Sequence, residues 1–166
     1  MRYRLPIQPA CPVCGDPQVN GKTLALRFEV DPETGEVFCS LRWSQQHLGF
    51  VGRVHGGLLA LVLDEAMAWA CAARARTFCT TGELKLKLKK AVPPDVVLDL
   101  RAWVEEARGP YLRARGEVRK AGDELLVAAQ ATFARLPRAE SLKLRRFLRF
   151  AAGDFDVLEA RVATFP

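Results

Sequence analysis

The chain has 166 residues, of which 49% are hydrophobic and 27% charged, with a formal net charge of +6. These proportions are ordinary for a globular protein long enough to bury one real core. The five cysteines, odd in number and unevenly spaced, exclude a disulfide framework, and the mild positive charge favours anionic partners without selecting one.

In chain order, residues 1–22 read as irregular, because Pro6, Pro9, Pro12 and Pro17 interrupt any regular element. The N-terminus, MRYRLPIQPACPVCG, has no apolar core of a signal peptide, so a cytoplasmic location is expected. Cys11-Pro-Val-Cys14-Gly15 lies in this segment. One CxxC is half of a structural zinc site, which needs four ligands. Cys39 and His47 complete a set only on paper, and a structured loop of small buried cysteines is the simpler reading, with no metal. Thr23–Val30 and Glu36–Trp43 alternate as strands, joined by the turn residues Asp31 to Gly35 into a hairpin. Ser44–Val54 is a polar, glycine-containing loop.

His55 to Ala75, HGGLLALVLDEAMAWACAARA, is the segment around which the rest is organised. It reads as a helix apolar on nearly every side and hence buried all round. Asp64 and Glu65 are the only ionisable pair in its middle, and they keep it from reading as a membrane span. Gly56 and Gly57 let a ligand approach the backbone, and the first N–H groups of the helix have no intrahelical partner. Glu83–Lys90, ELKLKLKK, puts Leu84, Leu86 and Leu88 on one face and Lys85, Lys87 and Lys89 on the other, a strict strand pattern. Val96–Ala107, Tyr111–Lys120 and Glu124–Leu136 follow as long antiparallel strands. Residues 138–166 form a basic tail, with a terminal helix in 138–150 docked on the sheet or on a neighbouring subunit. A membrane-surface or partner helix is the sharper alternative there. The sum is a single α+β domain spanning 1–166, one long helix wrapped by one antiparallel sheet.

With these elements in this order, the chain resembles the hotdog-fold acyl-CoA thioesterases. The branch in question opens its central helix with His-Gly-Gly and carries an Asp seven residues after the second Gly. Here those residues are His55, Gly56, Gly57 and Asp64, and the likeness covers about residues 10–136, including the CxxCG loop. The resemblance implies that the Gly57 N–H polarises the thioester carbonyl as an oxyanion hole. It implies Asp64 as nucleophile or general base, and Thr80 or Thr81 as the residue that positions water. It also implies a polar side chain in the loop before the helix, for which Gln45, Gln46 and His47 are candidates. The substrate would be an acyl-CoA with a small, medium or aryl acyl group, and no cofactor is expected beyond the coenzyme A it carries.

The residues support that chemistry independently. Thioester hydrolysis needs oxyanion stabilisation, where losing one donor costs about 10²–10³ in rate, and a base or nucleophile. A desolvated carboxylate is a better base, and Asp64 fits that description. Gly57 and Asp64 stand roughly 10 Å apart along one helix. Both can reach one thioester only if a second, antiparallel copy supplies one of them, so a homodimer, or a tetramer built from it, is expected. Glu65, about 100° around the helix, is read as structural and paired with an Arg. His55 either holds the loop and contacts the acyl carbonyl or is simply satisfied by backbone. Lys85 and Lys87 are candidates for the coenzyme A phosphates, against a plain solvated face. The alternative function is a non-catalytic acyl-CoA-binding or regulatory module. A hydratase is disfavoured because Asp64 has no His four or five residues away. Nucleic-acid binding is disfavoured because neither interleaved exposed aromatics nor a recognition helix is evident.

Overall fold

The computed structural model describes residues 1–159. Its largest element is a seven-stranded antiparallel sheet across which one long helix lies. The strands are β1 (Tyr3–Arg4), β2 (Glu29–Val30), β3 (Val37–Arg42), β6 (Cys79–Leu88), β7 (Val97–Arg108), β8 (Tyr111–Lys120) and β9 (Glu124–Arg135), in the order β1-β2-β3-β7-β8-β9-β6. A small ribbon of β4 (Leu48–Phe50) and β5 (Arg53–Val54) precedes helix α1 (Gly56–Ala75), and α2 (Arg138–Arg145) follows the sheet.

The three long late strands fall where alternation put them, because one face of each is apolar and packs under α1. Leu98, Leu100 and Ala102 of β7, Leu112, Ala114 and Val118 of β8, and Val127, Ala131 and Phe133 of β9 are buried. Their helix counterparts are Leu59, Val62, Leu63, Ala66, Met67 and Ala70. Small residues in mid-sheet let the helix settle close. A Cβ placed on Gly116 would stand 2.8 Å from Leu63 Cδ2 and 3.4 Å from Met67 Cγ. The helix ends at Arg76, whose left-handed backbone (φ 53°) turns its N–H onto the Ala72 carbonyl at 2.8 Å.

Several expectations are corrected. The strand expected over Thr23–Val30 is reduced to Glu29–Val30. Ala25 has φ 52°, and the N–H groups of Leu24 and Leu26 bond the Pro12 and Val13 carbonyls of the CxxC loop instead of a neighbouring strand. Residues 1–22 are not wholly irregular, since Tyr3 and Arg4 pair with Val30 and Glu29. The 44–54 loop contains a 3-10 turn (Gln45–His47) as well as the β4–β5 ribbon. Strand β6 begins at Cys79, so Thr80, Thr81 and Gly82 lie within it, and it crosses to pair with β9 rather than with β7. Helix α1 is not buried all round: Gly57 is exposed and Leu61, Asp64 and Ala68, at four-, three- and four-residue steps from it, are half-buried. By length and hydropathy α1 qualifies as a membrane span, with mean hydropathy 1.4 over its best window, yet its apolar side is the core of this fold. Of the basic tail, 138–145 is helical, and 160–166 lie outside the described residues.

Candidate active site

The start of α1 is capped by the residue just before it. His55 has extended backbone (φ −64°, ψ 129°), and its Nδ1 accepts the Gly57 N–H at 3.0 Å, satisfying one of the orphan donors of the first turn. The loop before it is tied down by the other histidine. His47 Nδ1 accepts the Ser44 N–H at 3.0 Å and lies 3.0 Å from the Ser44 hydroxyl; its ring packs edge-on to Trp43, and its carbonyl accepts the His55 N–H at 2.9 Å. Gln45 bonds Asp95 at 2.7 Å, and Gln46 is exposed. His47 therefore holds the approach to the helix and does not present its Nδ1 to a ligand.

Two turns further on, Thr81 Oγ1 donates to Asp64 Oδ1 at 2.8 Å. Thr81 reaches the helix because β6 bulges between Thr81 and Glu83, beside Gly82. Thr80 is exposed one residue earlier on the strand. Of the two threonines expected from the sequence, Thr81 is the one joined to the acid. Only one carboxylate oxygen is thereby engaged, on a half-buried side chain.

Around His55 lies a cleft of about 640 Å³ whose rim includes Arg53, Gly56, Lys89 and Lys90. Lys90 is held by Glu124 at 2.6 Å. Asp64 does not line this cleft, in keeping with its distance along the helix. Lys85 and Lys87 lie elsewhere. Lys85 pairs with Glu83 at 3.2 Å in a groove with Arg108, Arg113 and Gln130, on the sheet face away from α1. The cations that accompany the His55 cleft are thus Arg53 and the two lysines just past the end of β6, which alternation could not distinguish from the others.

Glu65 is the acid that burial governs. Desolvation, with the Cys11 sulfur adding to it, pushes its carboxyl up to about 7. Among the described residues no Arg pairs with Glu65, which instead accepts the Trp69 indole N–H at 3.1 Å and has both oxygens 3.8 Å from Cys11 Sγ. Trp69 was available as a signal, since it sits one helical turn after Glu65. The Cys11 contact spans 54 residues of sequence and left no local trace. Beyond Glu65, a cavity of about 320 Å³ is walled by Trp69, Phe78, Cys79, Leu144 and Leu148.

This architecture has known counterparts. A thioesterase superfamily protein superposes with a TM-score of 0.69 at 24% identity, over 76% of this chain and 60% of that one. The chain has the hotdog fold. Residues 51–127 match the family model of the thioesterase superfamily, a span that includes His55, Asp64 and Thr81. A phenylacetic acid degradation-related protein from Ralstonia eutropha JMP134 is 29% identical, with a TM-score of 0.61 over 71% of this chain and 89% of its own. The protein smu.793 of Streptococcus mutans UA159, solved bound to acetyl CoA, is 15% identical, with a TM-score of 0.61 over 66% of this chain and 87% of its own. The chain spans three-fifths of the length of the first of these structures. No curated protein sequence matches it.

Proposed function

We propose that this hotdog protein is a member of the thioesterase superfamily that hydrolyses an acyl-CoA to free acid and coenzyme A, acting as a dimer in the cytoplasm. The observation that carries the reading is Asp64, held by Thr81 at 2.8 Å on the same open helix stripe as Gly57. The family match across both residues and the acetyl CoA on the Streptococcus mutans protein support it. Five free cysteines accord with a reducing compartment.

In the reaction, the Gly57 N–H takes the thioester carbonyl oxygen as negative charge develops on it. Thr81 fixes Oδ1 of Asp64, leaving Oδ2 either to accept a proton from an attacking water or to attack the acyl carbon itself. The carbon–sulfur bond then breaks and coenzyme A leaves as its thiol, taking the proton that Asp64 accepted from water; on the nucleophilic route, water then cleaves the acyl–Asp64 anhydride, restoring the carboxylate, releasing the free acid and supplying that proton. Because the two groups are roughly 10 Å apart on one helix, the Gly57 of one copy serves the Asp64 of the other. Strand β6 favours such pairing. Among the described residues its one neighbour is β9, so ten residues present an unpaired edge. Arg53 and Lys89 at the His55 cleft take the coenzyme A phosphates, a role expected of Lys85 and Lys87.

One observation favours a second reading, a non-catalytic acyl-CoA-binding module: the Gly57 N–H is already engaged by His55 Nδ1. Hydrolysis requires the ring to yield that hydrogen bond. Thiol release from a panel of short, medium and aryl acyl-CoAs, by the wild type and by Asp64→Asn, separates the two. Hydrolysis predicts release by the wild type and its loss in Asp64→Asn with binding retained. Tight binding without release from any substrate establishes the module, and equal release by both proteins removes Asp64 from the chemistry.

A further inference from the structure

The CxxC loop takes no part in that reaction, yet it is folded around an acid, Glu65, that the reaction does not use. Cys11, Cys14 and Glu65 converge from the N-terminal loop and the middle of α1, with their ligand atoms all within 4.8 Å of one another. The loop is shaped for its first sulfur. The Val13 N–H points at Cys11 Sγ at 3.3 Å, and the Gly15 N–H closes a turn onto the Cys11 carbonyl at 3.1 Å. Gly15 cannot be any other residue without moving that turn, since a Cβ there would meet the Cys11 carbonyl oxygen at 2.2 Å and the Pro9 oxygen at 2.8 Å. Arg27 then braces the far side of the loop, donating to the Cys14 carbonyl at 2.8 Å.

Among the described residues, no cationic side chain is paired with Glu65. Its hydrogen-bond donors are the Trp69 indole and a thiol, and the ion pairs of the described residues lie elsewhere. A buried carboxylate is ordinarily matched by a cation or a metal. We propose that Cys11, Cys14 and Glu65 form a binding site for one divalent zinc-type ion, with water as the exchangeable fourth ligand. The donor set fits: two soft sulfurs with a C-x₂-C spacing and one carboxylate oxygen suit Zn²⁺ in preference to Mg²⁺ or Ca²⁺. The spacing fits as well. Tetrahedral zinc with bonds of about 2.3 Å to sulfur and 2.0–2.2 Å to oxygen holds sulfur and oxygen about 3.6 Å apart. Cys11 Sγ and the Glu65 oxygens stand at 3.8 Å. The ion would clamp the N-terminal loop to α1 on the turn that carries Asp64, while Glu65 itself points about 100° away from the Asp64 stripe. The proposal does not depend on the thioesterase reading.

The test is cobalt titration of the full chain, stripped with a chelator and kept reduced, followed by competition with zinc and by metal analysis. The expected result is the thiolate-to-cobalt and tetrahedral absorption bands, saturating at one ion per chain and erased by zinc. Cys11→Ser and Cys14→Ser should remove the sulfur-to-metal band, Glu65→Gln should weaken binding more than about 100-fold, and Cys39→Ser should leave the titration unchanged. Bound zinc should also protect Cys11 and Cys14 from alkylation, a readout that needs no variant. Absence of cobalt bands in the wild type, bands that survive both serine variants, or alkylation indifferent to zinc would each overturn the site.

Discussion

Ser141, fully buried, is the hydroxyl that fastens α2 to the end of the core. Its Oγ accepts the Phe78 N–H at 3.0 Å and lies 2.6 Å from Thr77 Oγ1, which also reaches the Leu136 carbonyl at 2.7 Å. Ser141→Ala strands the Phe78 N–H and leaves Thr77 with Leu136 alone. A hydrogen bond contributes about 0.5–1.5 kcal/mol net, and a stranded buried donor costs about 1–3 kcal/mol. The expected loss is therefore about 2–3 kcal/mol, or roughly 5–10 °C in Tm for a chain of this size. Thermal unfolding followed by circular dichroism at one fixed protein concentration measures it, since association also moves Tm. Thr77→Val should be costly for the same reason. The double variant should cost less than the two single losses together, because both remove the same contact. A Ser141→Ala protein melting within about one degree of the wild type, or losses that simply add, would refute the argument. The contact has a functional reach, because α2 supplies Leu144 to the cavity beside Trp69.

Gly116→Val should destabilise by about 1–3 kcal/mol through overpacking against Leu63, seen as a lower urea midpoint at unchanged m value. Gly116→Ala should cost less, since it adds only the Cβ, whose nearest atom is the end of the Leu63 side chain. His55→Ala removes the cap on Gly57 and should cost about 0.5–2 kcal/mol in the same unfolding experiment. Thr81→Val frees Asp64 Oδ1, and under the proposed function it should lower kcat about ten- to hundredfold with little change in KM, measured by thiol release.

The parts of this fold that were legible in the sequence are those where one physical constraint acts alone. Strands β7, β8 and β9 each bury a single face, so strict alternation located them to within a residue or two. The His-Gly-Gly opening and the apolar run behind it located α1 equally well. TLALRFEV alternates just as clearly, but it folds otherwise because Leu24 and Leu26 donate to the Pro12 and Val13 carbonyls of the CxxC loop, and no pattern within eight residues can announce a partner that far upstream. The candidate site divides in the same way. Asp64 and Gly57 share a helix and could be placed by its geometry. The choice of Thr81 over Thr80 depends on a bulge, and the meeting of Glu65 with Cys11 depends on how a coil segment drapes over the helix.

Both histidines of the chain accept a backbone N–H at Nδ1, His55 from Gly57 and His47 from Ser44. A ring nitrogen that accepts cannot also donate, so Nε2 is the donor nitrogen of each imidazole. One backbone amide is thereby parked on each ring, the Gly57 amide at the first turn of α1 and the Ser44 amide in the loop that leads there. The opening of the central helix is thus fastened by imidazole twice over, once at its cap and once at the strap before it.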